Sequence, residues 1–251
     1  MDRFPDELDD LLTNRGRRLL DDPPQLEALI AKKRSPIIIL DGVINDGVAR
    51  ECIRLLDEAM YPALRRMYSP IPKDALTGMK ENYGERLPKT VRVRTATLNS
   101  AKSRALDAAR QCGLAQMMMS KSFRRAAQQV TGPPLREDWW ARQVICYETG
   151  DYSGPHNDHH PESKIARNGF LDLHIMFAND DVAGQQLVYE DRGFLSVTHD
   201  VSSRGSIAIY RLPFWHYTTP LRARSGREAT ARRWLLLGSF DYDPPLEKLE
   251  Y

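Results

Sequence analysis

Cysteine is scarce: the 251 residues hold only Cys52, Cys112 and Cys146, far apart and in no paired spacing. That excludes a disulfide framework and a zinc finger built on cysteine pairs, and it suits a reducing compartment. No run of about 18 apolar residues occurs, so no membrane-spanning helix is expected. A dominant charge is missing too, since 36 basic residues face 34 acidic ones for a net charge of +2. Nothing in that balance asks for a nucleic acid or a membrane as partner. The opening MDRFPDELDDLL is acidic and lacks an apolar centre, so no secretory leader is read there and a cytoplasmic protein is expected. Internal repeats and low-complexity segments are absent. What is present is ordinary core material, 41% hydrophobic and 28% charged, enough for one sizeable domain with an extension.

Residues 1–35 are highly charged and read as an N-terminal extension packed outside the main domain, with a short helical stretch at QLEALIAKKR. Residues 36–251 read as a single domain, with helical support over 36–138 and a β core over 139–243. Residues 37–40 form an apolar run long enough for a strand, and Asn45-Asp46-Gly47 can cap a helix. The spacing of Val48, Cys52, Leu55, Leu56, Ala59 and Met60 predicts that helix, with Pro62 kinking or ending it. Residues 68–90, rich in proline and glycine, read as a long loop, and 91–95 alternate as a strand does. Apolar faces at 106–118 and 123–130 predict two more helices, with the Met117–Met119 triplet as core packing. From 139 onward QVICY, FLDLHIMF, QLVYE, FLSVTHD, SIAIYR and RWLLLGSF follow one another between turn residues. So many short strands in about 100 residues mean a sandwich or barrel.

Three residues in that β region share a chemistry. His156 and Asp158 are one residue apart, so on a strand or its extended exit both face the same way. His216 follows about sixty residues later in PFWHYTTP. Two imidazoles and a carboxylate on one side of an octahedral ion leave the other positions open, which suits iron(II). A zinc hydrolase uses the same ligand types, and a plain loop ion pair would also explain the His-x-Asp spacing.

The flanking residues narrow this. QVICYETGDYSGPHND resembles the opening of the catalytic domain of prolyl-hydroxylase-like Fe(II)/2-oxoglutarate-dependent dioxygenases. HIMFANDDVAGQQLVYED is similar to that family's strand-plus-glycine segment. VTHDVSSRGSIAIYRLPFWHYTTPL is similar to the segment carrying its distal histidine, and PIIILDGVINDGVARECIRLLD to its strand-then-helix beginning. The resemblance runs from about 36 to 243 and is tight over 143–240.

It implies a mainly β protein with flanking helices (α+β): a double-stranded β-helix (jelly-roll, cupin-like) core with N-terminal helices packed on it. By the resemblance His156, Asp158 and His216 bind Fe(II), with 2-oxoglutarate and O2 as co-substrates and ascorbate as an allowed reductant. The implied reaction hydroxylates an unactivated C–H bond and releases succinate and CO2. A carboxylate at 158, where a glycine would open a site for halide, favours hydroxylation over halogenation. The family anchors the far carboxylate of 2-oxoglutarate on a basic residue at the start of the last core strand, usually about ten residues past the distal histidine. No basic residue sits at that offset here. Counting back along WLLLGSFDY selects Arg232, on one face with Trp234, Leu236 and Gly238, while Arg233 would point outward and Arg227 competes. Tyr147, nine residues before His156, matches a co-substrate-contacting tyrosine of part of the family. His174 alternates away from Leu173, Ile175 and Phe177, which suggests the outer face of the barrel. With no separate peptide-binding domain visible, a small-molecule substrate of amino-acid or natural-product type is expected. The alternatives are a prolyl-type protein residue as substrate, or a β-barrel binding module that has lost catalysis.

Overall fold

The computed structural model describes residues 1–22, 36–76, 89–130, 133–137, 140–160, 162–191 and 193–247. The helical stretch expected at QLEALIAKKR, and residues 77–88 of the expected loop, lie outside them.

Every expected strand forms, and most bounds match to within a residue or two. The chain runs through β1 (Ile37–Asp41), β2 (Arg65–Pro70), β3 (Thr90–Thr97), β4 (Ala141–Glu148), β5 (Tyr152–His156) and β6 (Phe170–Ala178). It continues through β7 (Val182–Gly184), β8 (Gln186–Asp191), β9 (Phe194–Asp200), β10 (Ser206–Leu212), β11 (His216–Thr218), β12 (Arg222–Ala223) and β13 (Arg232–Phe240). The main sheet has the order β1-β10-β6-β13-β4-β3-β5-β11-β8-β9, with β2 paired to β3. All its pairings are antiparallel. Because β3 pairs with both β4 and β5, the sheet curls over and its two halves face each other. That is the expected jelly-roll core. β2 is a correction, since it occupies the start of the segment read as loop. Its alternation of exposed and half-buried residues, RRMYSP, contains too little apolar signal to mark a strand.

The helices cover the outside of the β10-β6-β13-β4 half. α1 (Asn14–Leu20), α2 (Asp46–Leu55), α3 (Arg104–Gln111), α4 (Leu114–Met117) and α5 (Lys121–Gln128) are short. Asn45 caps α2 by accepting from the amides of Gly47 and Val48, as its sequence promised. The helical face read over 106–118 is broken at Gly113, whose φ of 82° only glycine adopts cheaply. Leu171, Leu173, Ile175, Trp234 and Leu236 turn outward from the sheet and join the helices in one apolar cluster. Phe4, Leu8, Leu11 and Leu20 belong to that same cluster, so the described part of the N-terminal segment is built into the core.

Gly238 of β13 lies where Phe123 of α5 presses on the sheet. A Cβ there would come within 2.6 Å of the Phe123 ring. Gly238→Ala is therefore expected to destabilise by about 1–3 kcal/mol, the usual cost of overpacking. An unchanged urea midpoint would contradict this packing.

The inner face is layered across the strands. Ala178, Arg233 and Tyr147 share one row, and Met176, Leu235 and Ile145 the next. Then come His174, Leu237 and Gln143, and after them Tyr210, Asp172 and Ser239. At roughly 3.4 Å per residue, the Arg233 and Ser239 rows lie about 20 Å apart along β13.

Candidate active site

His156 closes β5 and His216 opens β11, and the two residues are directly paired across these strands. Asp158 reaches them by a different route from the one the spacing suggested. It lies beyond β5, at a φ of 52°, a left-handed conformation that aspartate tolerates better than most residues. The Asn157 side chain accepts from the His159 amide at 3.0 Å, and the Asn157 amide donates to the Ala75 carbonyl at 3.1 Å. A tight turn, rather than strand alternation, folds the carboxylate back onto the imidazoles.

The three side chains converge. One carboxylate oxygen of Asp158 lies 3.4 Å from His156 Nε2, and the other lies 3.4 Å from His216 Nε2. One ligand atom from each residue falls within 4.8 Å of the others. The Nδ1 of His156 lies 2.6 Å from the Gly154 carbonyl, and that of His216 lies 2.9 Å from the Phe214 carbonyl. A carbonyl only accepts, so both Nδ1 atoms carry a hydrogen and both Nε2 atoms are turned to the site, free to ligate a metal once unprotonated. Two neutral imidazole nitrogens and one carboxylate are a fitting donor set for a divalent ion.

Electrostatics of the metal-free triad agree. Burial holds Asp158 up, but the neighbouring imidazoles outweigh it and keep the carboxyl well below its usual range. Burial pushes His156 down, yet Asp158 and the Gly154 carbonyl outweigh it and the net direction is up. Burial, together with His156, lowers His216 to about 4. Where His156 is protonated, a metal must displace that proton. A raised pKa means that this proton is held below the pKa and lost as pH rises through it. Affinity for Mn(II) or anaerobic Fe(II) is expected to rise about tenfold per pH unit below that point and then level off. Titrations from pH 6 to 8 check this, and a flat profile would contradict it.

The triad opens on a cavity of about 230 Å³ between the two halves of the sheet. Two assignments made from the sequence change here. Arg232 is outside the cavity, with its guanidinium over the Tyr61 ring at 4.0 Å and 3.5 Å from Asp57. Arg233 is inside, 2% exposed, and lines the cavity with Tyr147. Both faces of β13 are buried, one under helices and one in the barrel, so an apolar neighbour such as Trp234 does not mark the inner face. Arg227 is exposed and sits 3.6 Å from Asp181. His174 is the second change. It is 5% exposed and lines the cavity, because Leu173, Ile175 and Phe177 face the helices instead.

Arg233 is firmly held. Its Nε donates to Gln185 Oε1 at 2.6 Å, and its guanidinium lies 4.4 Å from the centre of the Tyr147 ring. Gln185, 1% exposed, is fixed in turn by donating to the carbonyls of Asp151 and Thr219. Among the described residues no carboxylate pairs with Arg233, and burial pulls its pKa down. Behind it, buried Asp151 accepts both guanidinium arms of Arg66 and so secures the turn between β4 and β5. Gln185 was not read from the sequence, although a polar pair after glycine at a strand start was its signal. Of the remaining histidines, His159 lies against the Arg167 carbonyl, and His160 packs on Phe170 at the cavity rim.

No family model matches the sequence, and no curated protein matches it. Solved structures do match. An oxidoreductase of the 2OG-Fe(II) oxygenase family from Burkholderia pseudomallei superposes with a TM-score of 0.57 at 9% identity, covering 91% of this chain and 95% of that one. A prolyl 4-hydroxylase from Phytophthora capsici gives 0.52 at 15% identity, over 96% of this chain and 70% of that one. The non-heme alpha ketoglutarate dependent carbocyclase SnoK from nogalamycin biosynthesis gives 0.50 at 13% identity, over 88% and 87%. The chain therefore has the fold of the 2OG-Fe(II) oxygenases.

Proposed function

We propose that the protein is an Fe(II)- and 2-oxoglutarate-dependent oxygenase acting on a small molecule. The observation that carries this reading is a two-histidine, one-carboxylate triad sharing its cavity with a buried arginine that no carboxylate among the described residues pairs. A buried guanidinium without a counter-ion costs several kcal/mol, and the carboxylate of a bound diacid would remove that cost. His156, Asp158 and His216 would hold iron, and Arg233 would take the far carboxylate of 2-oxoglutarate. Gln185 fixes one edge of the guanidinium and leaves the other for the ligand. Tyr147 would offer its hydroxyl to the same carboxylate, and burial, which raises its pKa, keeps that hydroxyl protonated as a donor. Bound iron with 2-oxoglutarate and O2 supplies the oxidising power, with succinate and CO2 as co-products. The protein's own share is to fix the co-substrate and to keep water from the reacting atoms.

The cavity also supports a small substrate, since about 230 Å³ is below the range of sites for drug-sized ligands. A prolyl-type residue on a polypeptide would have to be presented at the rim, by His160 and Phe170. Incubation with Fe(II), 2-oxoglutarate and a metabolite panel is expected to release succinate in an O2-dependent way. Release only with polypeptide would overturn the small-molecule reading. O2-independent hydrolysis by a zinc-loaded protein would overturn the whole assignment.

A further inference from the structure

The cavity holds a second polar group that the iron and 2-oxoglutarate reading leaves unused. Asp172 and His174 both project inward from β6, and each is 5% exposed. Asp172 Oδ2 lies 3.6 Å from His174 Nε2. Among the described residues, Asp172 Oδ1 and both ring nitrogens of His174 are buried without a hydrogen-bond partner. Buried polar atoms are nearly always satisfied, and leaving one unsatisfied costs about 1–3 kcal/mol. Three such atoms, side by side in a cavity, point to a ligand that satisfies them.

Their position says what kind of ligand. Asp172 lies in the same cross-strand row as Ser239 and Tyr210, and His174 in the next row with Gln143. The Tyr210 ring lies 4.1 Å from His174 and 5.4 Å from the metal-ligand candidate His216, which puts this group beside the triad. Arg233 is at the other end, in the row of Tyr147 and Ala178. The cavity is thus polarised, with a cation at one end and a carboxylate at the other. 2-Oxoglutarate held on Arg233 is a dianion with no hydrogen to donate to Asp172, so the polar pair belongs to a different molecule.

We propose that Asp172 and His174 bind an ammonium group on the primary substrate, which is therefore a small amine such as a free amino acid or an amino-bearing metabolite. An ammonium brings three donors and a positive charge. Asp172 Oδ1 accepts one donor and carries the opposing charge, while a neutral His174 nitrogen accepts a second. A neutral hydroxyl brings only one donor and leaves the carboxylate without a counter-charge. The pair acts by positioning the substrate beside the metal. This inference rests on the proposed function only for the identity of the other end of the cavity.

The test uses the full chain loaded with Mn(II), which supports no turnover, and reads binding by thermal shift and calorimetry. Free amino acids and primary amines are each run beside the analogue in which hydroxyl replaces the amine, with and without 2-oxoglutarate. Binding is expected among the amines, at least tenfold tighter than for their hydroxyl partners. Asp172→Asn is expected to shrink that preference below threefold, with His174→Leu weakening the amine alone; a melting curve confirms that each variant is folded. Preferential binding of neutral or anionic members, an amine preference that survives Asp172→Asn, or no binding by any amine would overturn the proposal. Failure of 2-oxoglutarate itself to bind would instead overturn the co-substrate reading, and the arm without it still decides the amine site.

Discussion

Arg233→Met is expected to weaken 2-oxoglutarate binding by about 30-fold to a few thousand-fold, while Arg232→Met leaves it within about threefold. The first figure follows from the roughly 2–5 kcal/mol lost when one partner of a buried, hydrogen-bonded charge pair is removed. Arg233 lines the cavity and has its Nε occupied by Gln185, so its remaining edge can meet a carboxylate in bidentate fashion. Lysine should restore little, because a point charge cannot use that edge in the same way. Arg232 has another task. It stands over Tyr61 and beside Asp57, whose carboxylate also accepts from Trp234 Nε1 at 3.0 Å. Losing it should cost stability, about 1–3 kcal/mol, because partly buried Asp57 keeps only one partner. Calorimetric titration of 2-oxoglutarate into both metal-loaded variants, with urea melts alongside, checks the pair. Equal effects of the two substitutions on affinity would contradict the assignment of Arg233.

The second large effect concerns the triad. His216→Ala and Asp158→Ala are each expected to lower Fe(II) affinity by at least about 100-fold, more than the 10–100-fold typical for partners one step removed from a metal. The readout is the rise in melting temperature on adding metal, which grows with the logarithm of the ratio of ion concentration to its dissociation constant. Wild-type protein should gain stability with Fe(II) or Mn(II) under nitrogen, and neither variant should. A metal-dependent shift that survives His216→Ala would mean that the ion binds elsewhere.

The sequence made the strand succession easy to read and the inner face of the barrel hard. Six apolar, β-branched segments between turn residues marked β4, β6, β8, β9, β10 and β13 because strand propensity and punctuation are local signals. Which side of β6 or β13 faces the cavity is not local. Helices cover one face and the barrel encloses the other, so RRWLLLGSF and FLDLHIMF are apolar on both sides and alternation decides nothing. Arg232 and His174 were misplaced for that one reason. A usable clue stood in the second segment: Asp172 and His174 share a parity, and an acid inside a buried strand needs a partner. The metal triad was legible as residue types in flanking patterns. Its geometry was not, because a left-handed turn at Asp158 brings the ligands together and a one-residue spacing does not reveal it.

The central claim is that one cavity holds iron on His156, Asp158 and His216 together with 2-oxoglutarate on Arg233. Anaerobic titration of the protein with Fe(II) and then 2-oxoglutarate, followed by visible absorption, tests it most directly. The account predicts a metal-to-ligand charge-transfer band that saturates at one equivalent of each and is lost in Arg233→Met at the same concentrations. Iron bound with no such band would contradict it.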